Sequence, residues 1–159
     1  MNIAIVFAKG PEKGERNINL YLIENHPVIY YSISAALSAK RINKVFVATD
    51  DKKIAEIAEG LSCEVIKRPK ELKTMGEAIV YSAREAIKKN PSCKNLIILS
   101  GNNSMVSPYL IEKSIDALEK RKYFLKSTKA RFPPICLNDK KRIPGAIFGK
   151  RHQRRHLFL

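Results

Sequence analysis

The chain has 159 residues, of which 45% are apolar, enough for one domain of ordinary size with a core of its own. No stretch reaches the roughly 18 apolar residues of a membrane span, and the opening Met-Asn-Ile-Ala-Ile-Val-Phe-Ala has neither a basic segment nor a small-residue cleavage site, so a soluble cytoplasmic protein is expected. The formal charge of +15 is uneven: residues 120–159 carry +12 and residues 1–119 the remaining +3.

Residues 2–8 form a continuous apolar run that ends just before Gly10, Pro11 and Gly14. This is the pattern of a strand buried on both faces that opens into a loop. After His26-Pro27, the spacing of Ile29, Ile33, Ala36 and Leu37 predicts a helix over 28–40, and Val45 to Ala48 a second strand. The pattern repeats with a helix over 51–60, a strand over 63–66, a helix over 75–89 and a strand over 95–99. A further helix opens near Ser107-Pro108, with a capping hydroxyl and Pro in its first turn, and runs to about Lys120; Tyr123 to Ser127 reads as one more strand.

Short apolar strands alternating with amphipathic helices predict right-handed crossovers and an α/β fold in three layers, with a mostly parallel sheet between helices. Ligands of such sheets bind outside the carboxyl ends of the strands. Beyond Ala130 the alternation stops and Phe132-Pro133-Pro134 interrupts any regular element. The expected organisation is an α/β domain over 1–130 and a basic, irregular segment over 131–159.

Cys63, Cys93 and Cys136 are far apart and odd in number, which suits buried or loop thiols better than a zinc or redox site. His26 precedes a proline at a helix start, and His152 and His156 lie in the basic end, so no metal centre is expected from them. The basic end could contact nucleic acid or another acidic surface, but it lacks interleaved aromatics and any nucleic-acid motif, and a solvated segment is the favoured reading.

The loop Lys9-Gly10-Pro11-Glu12-Lys13-Gly14-Glu15-Arg16 offers two glycines and three cations at a strand end. Backbone N–H groups in such a turn, with lysines beside them, can cradle a triphosphate, although the loop is neither a Walker A sequence nor a dinucleotide fingerprint. Composition alone leaves an ordinary solvated loop open. Asp50 and Asp51 stand where a strand meets a helix and suit either metal or ribose binding, or capping by Asp50 of a helix that starts at Asp51.

Three segments together carry a resemblance. A-K-G-P-E-K-G with Asn19, then H-P-V-I-Y-Y-S-I-S-A-A-L, is similar to the A-R-x-x-S-K-G-x-x-x-K-N opening and following helix of the acylneuraminate cytidylyltransferases, the CMP-sialic acid synthetases. V-F-V-A-T-D-D-K-K-I-A-E-I-A-E-G-L-S-C-E-V-I-K-R-P-K-E-L resembles the same family, including the Thr-Asp-Asp turn and the Arg-Pro pair. I-I-L-S-G-N-N-S-M-V-S-P falls where that family has its loop after a strand.

The resemblance implies a nucleotide-diphospho-sugar transferase (GT-A-like, Rossmann-like) fold and a CTP-dependent reaction. In it the anomeric hydroxyl of an acidic nine-carbon (nonulosonic) sugar attacks the α-phosphate and releases pyrophosphate, with Mg²⁺ offsetting phosphate charge. It implies that Lys9 and Lys13 hold the phosphates against the Gly10 and Gly14 backbone and that Asn19 and Arg68 contact the cytidine. Ser100, Gly101 and Asn102 would line the base and sugar pocket, and a homodimer is a further expectation; from their position at a strand end, Asp50 and Asp51 are the expected metal-assisting carboxylates.

The match departs from the family at Glu12, where the family has Ser, at Ile18, where it has Lys, and at Met75, where it often has Asp; Glu15 adds a further acid nearby. The loop is thus less cationic than its counterparts. The family's later Asn-Gly-Ala-Ile-Tyr strand, dimerisation segment and paired Asp ligands are not found before Leu159, so a chain short at its carboxyl end is expected, with His152 to Leu157 echoing an Arg-Gln-x-Leu-Pro segment. Three other readings stay open: a non-catalytic nucleotide-binding remnant, a basic nucleic-acid-binding protein, and a related nucleotidyltransferase acting on another sugar or on a molybdenum cofactor.

Overall fold

A computed structural model describes residues 1–12, 14–72, 74–120 and 135–138. Its strands and helices are β1 (Asn2–Ala8), β2 (Leu22–Ile23), β3 (His26–Pro27), α1 (Val28–Ser38), β4 (Lys44–Thr49), α2 (Lys52–Gly60), β5 (Glu64–Lys67), α3 (Met75–Lys89), β6 (Asn95–Ser100), α4 (Pro108–Lys120) and β7 (Ile135–Asn138). The main sheet has the order β5-β4-β1-β6-β7. Within it, pairs β1·β4, β1·β6 and β4·β5 are parallel and β6·β7 is antiparallel.

Alternation along β1 explains why it reads as an unbroken apolar run. Ala4, Val6 and Ala8 share one buried cluster with Ile29 and Ile33 of α1, Ile54 and Ala58 of α2, and Ile111 and Ile115 of α4. Ile3, Ile5 and Phe7 share the other with Ala78, Ala83 and Ala86 of α3. Helices therefore cover both faces of the sheet, as the alternation of elements predicts. Each fully buried Ile or Phe contributes about 1.5–3 kcal/mol through removal of apolar surface from water.

Local signals set the helix ends. Thr74 and Glu77 form a reciprocal capping box at the start of α3. The backbone N–H of Leu110 donates to the Ser107 hydroxyl, the cap expected at α4. At the end of α2, the N–H of Cys63 reaches Ala58 O and that of Ser62 reaches Glu59 O, a Schellman arrangement that puts Ser62 at φ +59°.

Two features differ from the sequence reading. His26-Pro27 is half of a tight hairpin with β2, its two turn residues Glu24 and Asn25 at φ +47° and +65°, as a type I′ turn requires. After Ala130, where no strand is expected, β7 pairs with β6 in antiparallel register, Ile135 opposite Ile98 and Asn138 opposite Asn95. The strand predicted at Tyr123 to Ser127 lies outside the described residues, as do His152 and His156. Among the described residues no helix is long and apolar enough to cross a membrane.

Cys63 and Cys93 are free thiols, Cys63 buried and Cys93 half-buried in the loop before β6. Burial pushes the Cys63 thiol up to about 11. The folded chain is therefore expected to leave Cys63 unmodified by iodoacetamide at about pH 8, where an ordinary exposed thiol reacts, and guanidinium unfolding is expected to expose it. Peptide mass mapping checks this.

Candidate functional site

The four parallel strands end on one edge of the sheet, and their loops meet there. The path β1-α1-β4-α2-β5 winds in one direction, after which α3 crosses the opposite face to β6 on the other side of β1. The direction of winding thus reverses between β1 and β6, where open α/β sheets form their ligand crevice. Lys9 and Gly10 leave β1 at that point, Asp50 and Asp51 follow β4, Arg68 follows β5, and Ser100 and Gly101 close β6. The structure thereby gathers residues predicted from three separate segments; Lys13 lies outside the described residues.

The crevice between β1 and β6 is tight. The N–H of Gly101 donates to Phe7 O at 2.6 Å, and a Cβ on Gly101 would lie 2.7 Å from Phe7 O, 2.9 Å from Ala8 Cβ and 3.1 Å from Asn19 Oδ1. Only glycine lets these three segments approach so closely. Beside it the Ser100 hydroxyl meets the Asn102 amide oxygen at 2.5 Å. Ser32, on the buried face of α1, has its hydroxyl at 2.8 Å from Ser100 O and 2.9 Å from Asn103 O, which anchors this loop to the helix. Sequence reasoning passed over Ser32, though a polar residue among Ile29, Ile33 and Ala36 was a usable signal.

The loop after β1 is held from the β4 side. The N–H of Gly10 donates to Asp50 Oδ1 at 2.9 Å. The Asn17 amide donates to Asp51 Oδ2 at 2.9 Å, while Asp51 Oδ1 accepts from the N–H groups of Lys53 and Ile54 at 2.8 and 3.1 Å. The cap of α2 is therefore Asp51, with the helix starting at Lys52, and not Asp50 as the sequence suggested; Asp50 instead receives the loop. The N–H of Asp51 donates to the buried Thr49 hydroxyl, which fixes the turn after β4.

Asn19 is 5% exposed, and its amide group donates to Lys9 O and to Asn17 Oδ1, each at 3.1 Å. It braces the loop from within. Gly14 sits at φ +89°, a conformation that a side chain disfavours. On the exposed side of the loop Lys9 Nζ lies 2.6 Å from Glu12 Oε1. The hydrogen bond from Lys9, aided by its charge, holds the Glu12 carboxyl below the usual carboxylate range. The cation that the resemblance assigns to phosphate is thus paired internally.

Arg68 is 8% exposed, and its Nε is buried with no hydrogen-bond partner among the described residues. Its backbone N–H donates to Thr49 O, which continues the β4·β5 ladder past Lys67. A buried guanidinium N–H without an acceptor costs roughly 1–3 kcal/mol, so such a group usually awaits a partner that the chain does not supply. Among the described residues no three of His, Cys, Asp and Glu are grouped so as to hold a metal ion.

Comparison with known proteins places this geometry. Residues 3–132 match the protein family described as Cytidylyltransferase. The N-acylneuraminate cytidylyltransferase of Escherichia coli is 29% identical over 134 residues, covering 82% of this chain and 32% of that protein. The 3-deoxy-manno-octulosonate cytidylyltransferase of Thermodesulfovibrio yellowstonii is 29% identical over 104 residues, or 63% of this chain and 40% of that one. Among solved structures, a CMP:2-keto-3-deoxy-manno-octonic acid synthetase complexed with CTP superposes with a TM-score of 0.65 at 19% identity, over 76% of this chain and 48% of that chain. The chain spans about a third of the length of the acylneuraminate relatives it matches.

Proposed function

We propose, on the premise that the chain belongs to the cytidylyltransferase family, that it binds CTP at the carboxyl edge of its sheet and transfers CMP to an acidic keto sugar with release of pyrophosphate. The observation that carries this reading is Arg68, a buried guanidinium just past the end of β5 whose Nε–H has no acceptor among the described residues. A cytidine offers carbonyl and ring-nitrogen acceptors for such a group. A nonulosonic, sialic-acid-like acceptor is the favoured substrate, since the acylneuraminate relatives match over 118–134 residues against 104 for the 3-deoxy-manno-octulosonate relative of Thermodesulfovibrio yellowstonii. Relatives named for 3-deoxy-manno-octulosonate and pseudaminic acid define the wider class.

In this reading the acceptor hydroxyl oxygen bonds to the α-phosphorus as the bond to pyrophosphate breaks, and the hydroxyl proton passes to solvent. The chain's part is to orient the triphosphate and offset its charge: Lys9 and Lys13 pair with phosphate oxygens, the glycines let the backbone approach, and Ser100, Gly101 and Asn102 shape the pocket. Asp51 does not fit as a magnesium ligand, because both of its oxygens already accept hydrogen bonds from Asn17 and the α2 backbone. Among the described residues, Asp50 keeps one oxygen beyond its bond to Gly10. Mg²⁺ therefore enters the proposal only as an ion carried by the nucleotide phosphates, whose charge it would screen, and no step is assigned to it.

Calorimetric titration with CTP and Mg²⁺, with ATP as control, followed by a pyrophosphate-release assay with N-acetylneuraminate, tests the reading. CTP-selective binding with release supports it, and absence of CTP binding refutes it. A second reading, CTP binding without turnover, is favoured by the Lys9–Glu12 ion pair, which withdraws a cation from the loop.

The same pair yields a prediction. Glu12→Gln is expected to raise CTP affinity severalfold at low ionic strength, with the gain shrinking as salt screens the freed Lys9. Acidification should mimic this only once the pH falls below the ordinary carboxylate range, because Lys9 holds the Glu12 carboxyl low and keeps it ionised until then. Titrations across pH and salt check both arms.

A further inference from the structure

Three loop contacts converge on Asn17, a residue to which neither sequence pattern nor family resemblance gives a role. Its amide donates to Asp51 Oδ2, and its side-chain oxygen accepts from both the backbone N–H and the side-chain amide of Asn19. Asn19 in turn holds Lys9 O, and Asp51 caps α2 through its other oxygen. The chain of bonds runs from the start of α2, whose Ile54 is packed in the core, to the first residue after β1, across 34 positions of sequence at the Asn17–Asp51 step.

We propose that Asp51 and Asn17 form a tether that sets the position of the 9–19 loop from the fixed end of α2. They are thus positioning residues for the nucleotide phosphates; the inference rests on the reading that this loop receives them. Asp51 is suited to the task because a single carboxylate spans both jobs. One oxygen satisfies two otherwise unpartnered N–H groups at the start of α2, and the other is left aimed at the loop. Asn17 is half-buried, so its bond to an ionised acceptor is partly shielded from water and is of the stronger, charge-assisted kind. The 3-10 turn Ile18–Leu20 begins directly from it, with Leu20 N–H on Asn17 O, so movement of Asn17 moves the turn that carries Asn19.

The pair can be exchanged without changing net charge or hydrogen-bond count. In an Asn17→Asp, Asp51→Asn double variant, the amide at position 51 donates to the carboxylate at 17 and still caps α2 with its oxygen, a role Asn performs as well as Asp. Each single change breaks the bond: Asp51→Asn opposes two amide donors, Asn17→Asp opposes two carboxylates, and Asn17→Ala removes one partner while leaving the cap of α2 intact.

The experiment compares wild type, Asn17→Ala, Asp51→Asn and the exchanged double variant by amide hydrogen exchange, resolved at Gly10 and Leu20 and across α2, and by CTP titration. Asn17→Ala removes the charge-assisted bond to Asp51 together with the two bonds that Asn19 donates to the Asn17 oxygen, and is expected to speed exchange at Gly10 and Leu20 by about tenfold or more while α2 keeps its protection. CTP affinity should fall by a similar factor, and the exchanged pair should recover both properties where Asp51→Asn alone does not. Unchanged exchange at Gly10 and Leu20 in Asn17→Ala, or failure of the exchanged pair to recover, would overturn the tether. If wild type binds no CTP, the nucleotide reading fails and with it the positioning role, while the exchange measurements still decide whether the tether exists.

Discussion

Replacing Arg68 by Met is expected to raise the melting temperature of the ligand-free chain while weakening CTP binding by about 10- to 100-fold, the loss of one or more hydrogen bonds from a charged donor. The two effects have opposite signs for one reason. The guanidinium lies 8% exposed with its Nε unpartnered, so without ligand it costs stability, roughly 1–3 kcal/mol for the orphaned N–H. Met keeps an unbranched apolar stem and removes the polar head, which for a domain of this size corresponds to a gain of about 2–12 °C. Arg68→Lys should fall between, since an ammonium retains charge but not the planar fork. Thermal melts with and without CTP separate the outcomes: a melting temperature that drops in Arg68→Met, with CTP affinity intact, would show that the guanidinium holds the fold and not the nucleotide.

Gly101→Ala is expected to destabilise the chain by about 1–3 kcal/mol, the range for overpacking a close contact, and to lower the melting temperature by about 2–12 °C. The added Cβ would meet Phe7 O at 2.7 Å and Ala8 Cβ at 2.9 Å, both carried by β1, a central strand paired on both sides. Neither can swing aside as a flexible side chain could, so β1 and the end of β6 must separate. The third neighbour, Asn19 Oδ1 at 3.1 Å, belongs to the loop brace, and CTP affinity should therefore drop together with stability. Gly60→Ala is the control: a Cβ there meets nothing within 4 Å, and replacing a helical glycine that does not need its freedom should be neutral or stabilise by up to about 1 kcal/mol. Equal melting temperatures for Gly101→Ala and wild type would mean that the β1–β6 crevice is more yielding than its geometry indicates.

Much of the architecture was legible in the chain because its signals are local. β1 reads as a strand since residues 2–8 are apolar on both faces, and both faces are in fact buried, one against α1, α2 and α4 and the other against α3. The start of α4 was visible in Ser107-Pro108, and α3 spans the predicted 75–89. The gathering of Lys9, Asp50, Arg68 and Gly101 at one edge followed from the alternation of strands and helices, since parallel strands must all end on the same side. β7 was hidden because four residues after a Pro-Pro break have too little periodicity to announce a strand, and their pairing depends on β6, already formed 35 or more residues earlier. The β2·β3 hairpin was missed because Glu24-Asn25 is not the glycine-containing pair that normally signals a type I′ turn.

The sequence by itself determined the parallel strands, the helices between them, their order and the family, because these rest on hydrophobic period, capping residues and contiguous motifs. Only the tertiary structure decided what each polar group does. Asp51 and not Asp50 caps α2, Asn17 joins Asp51, Asn19 is buried inside its own loop, Lys9 is paired with Glu12, and Arg68 is left without an acceptor at Nε. Such roles depend on distance in space and on exclusion from water. Several of these contacts join residues 10 or 34 positions apart, a separation across which sequence carries no phase, whereas the period of a strand or helix is written in every few residues.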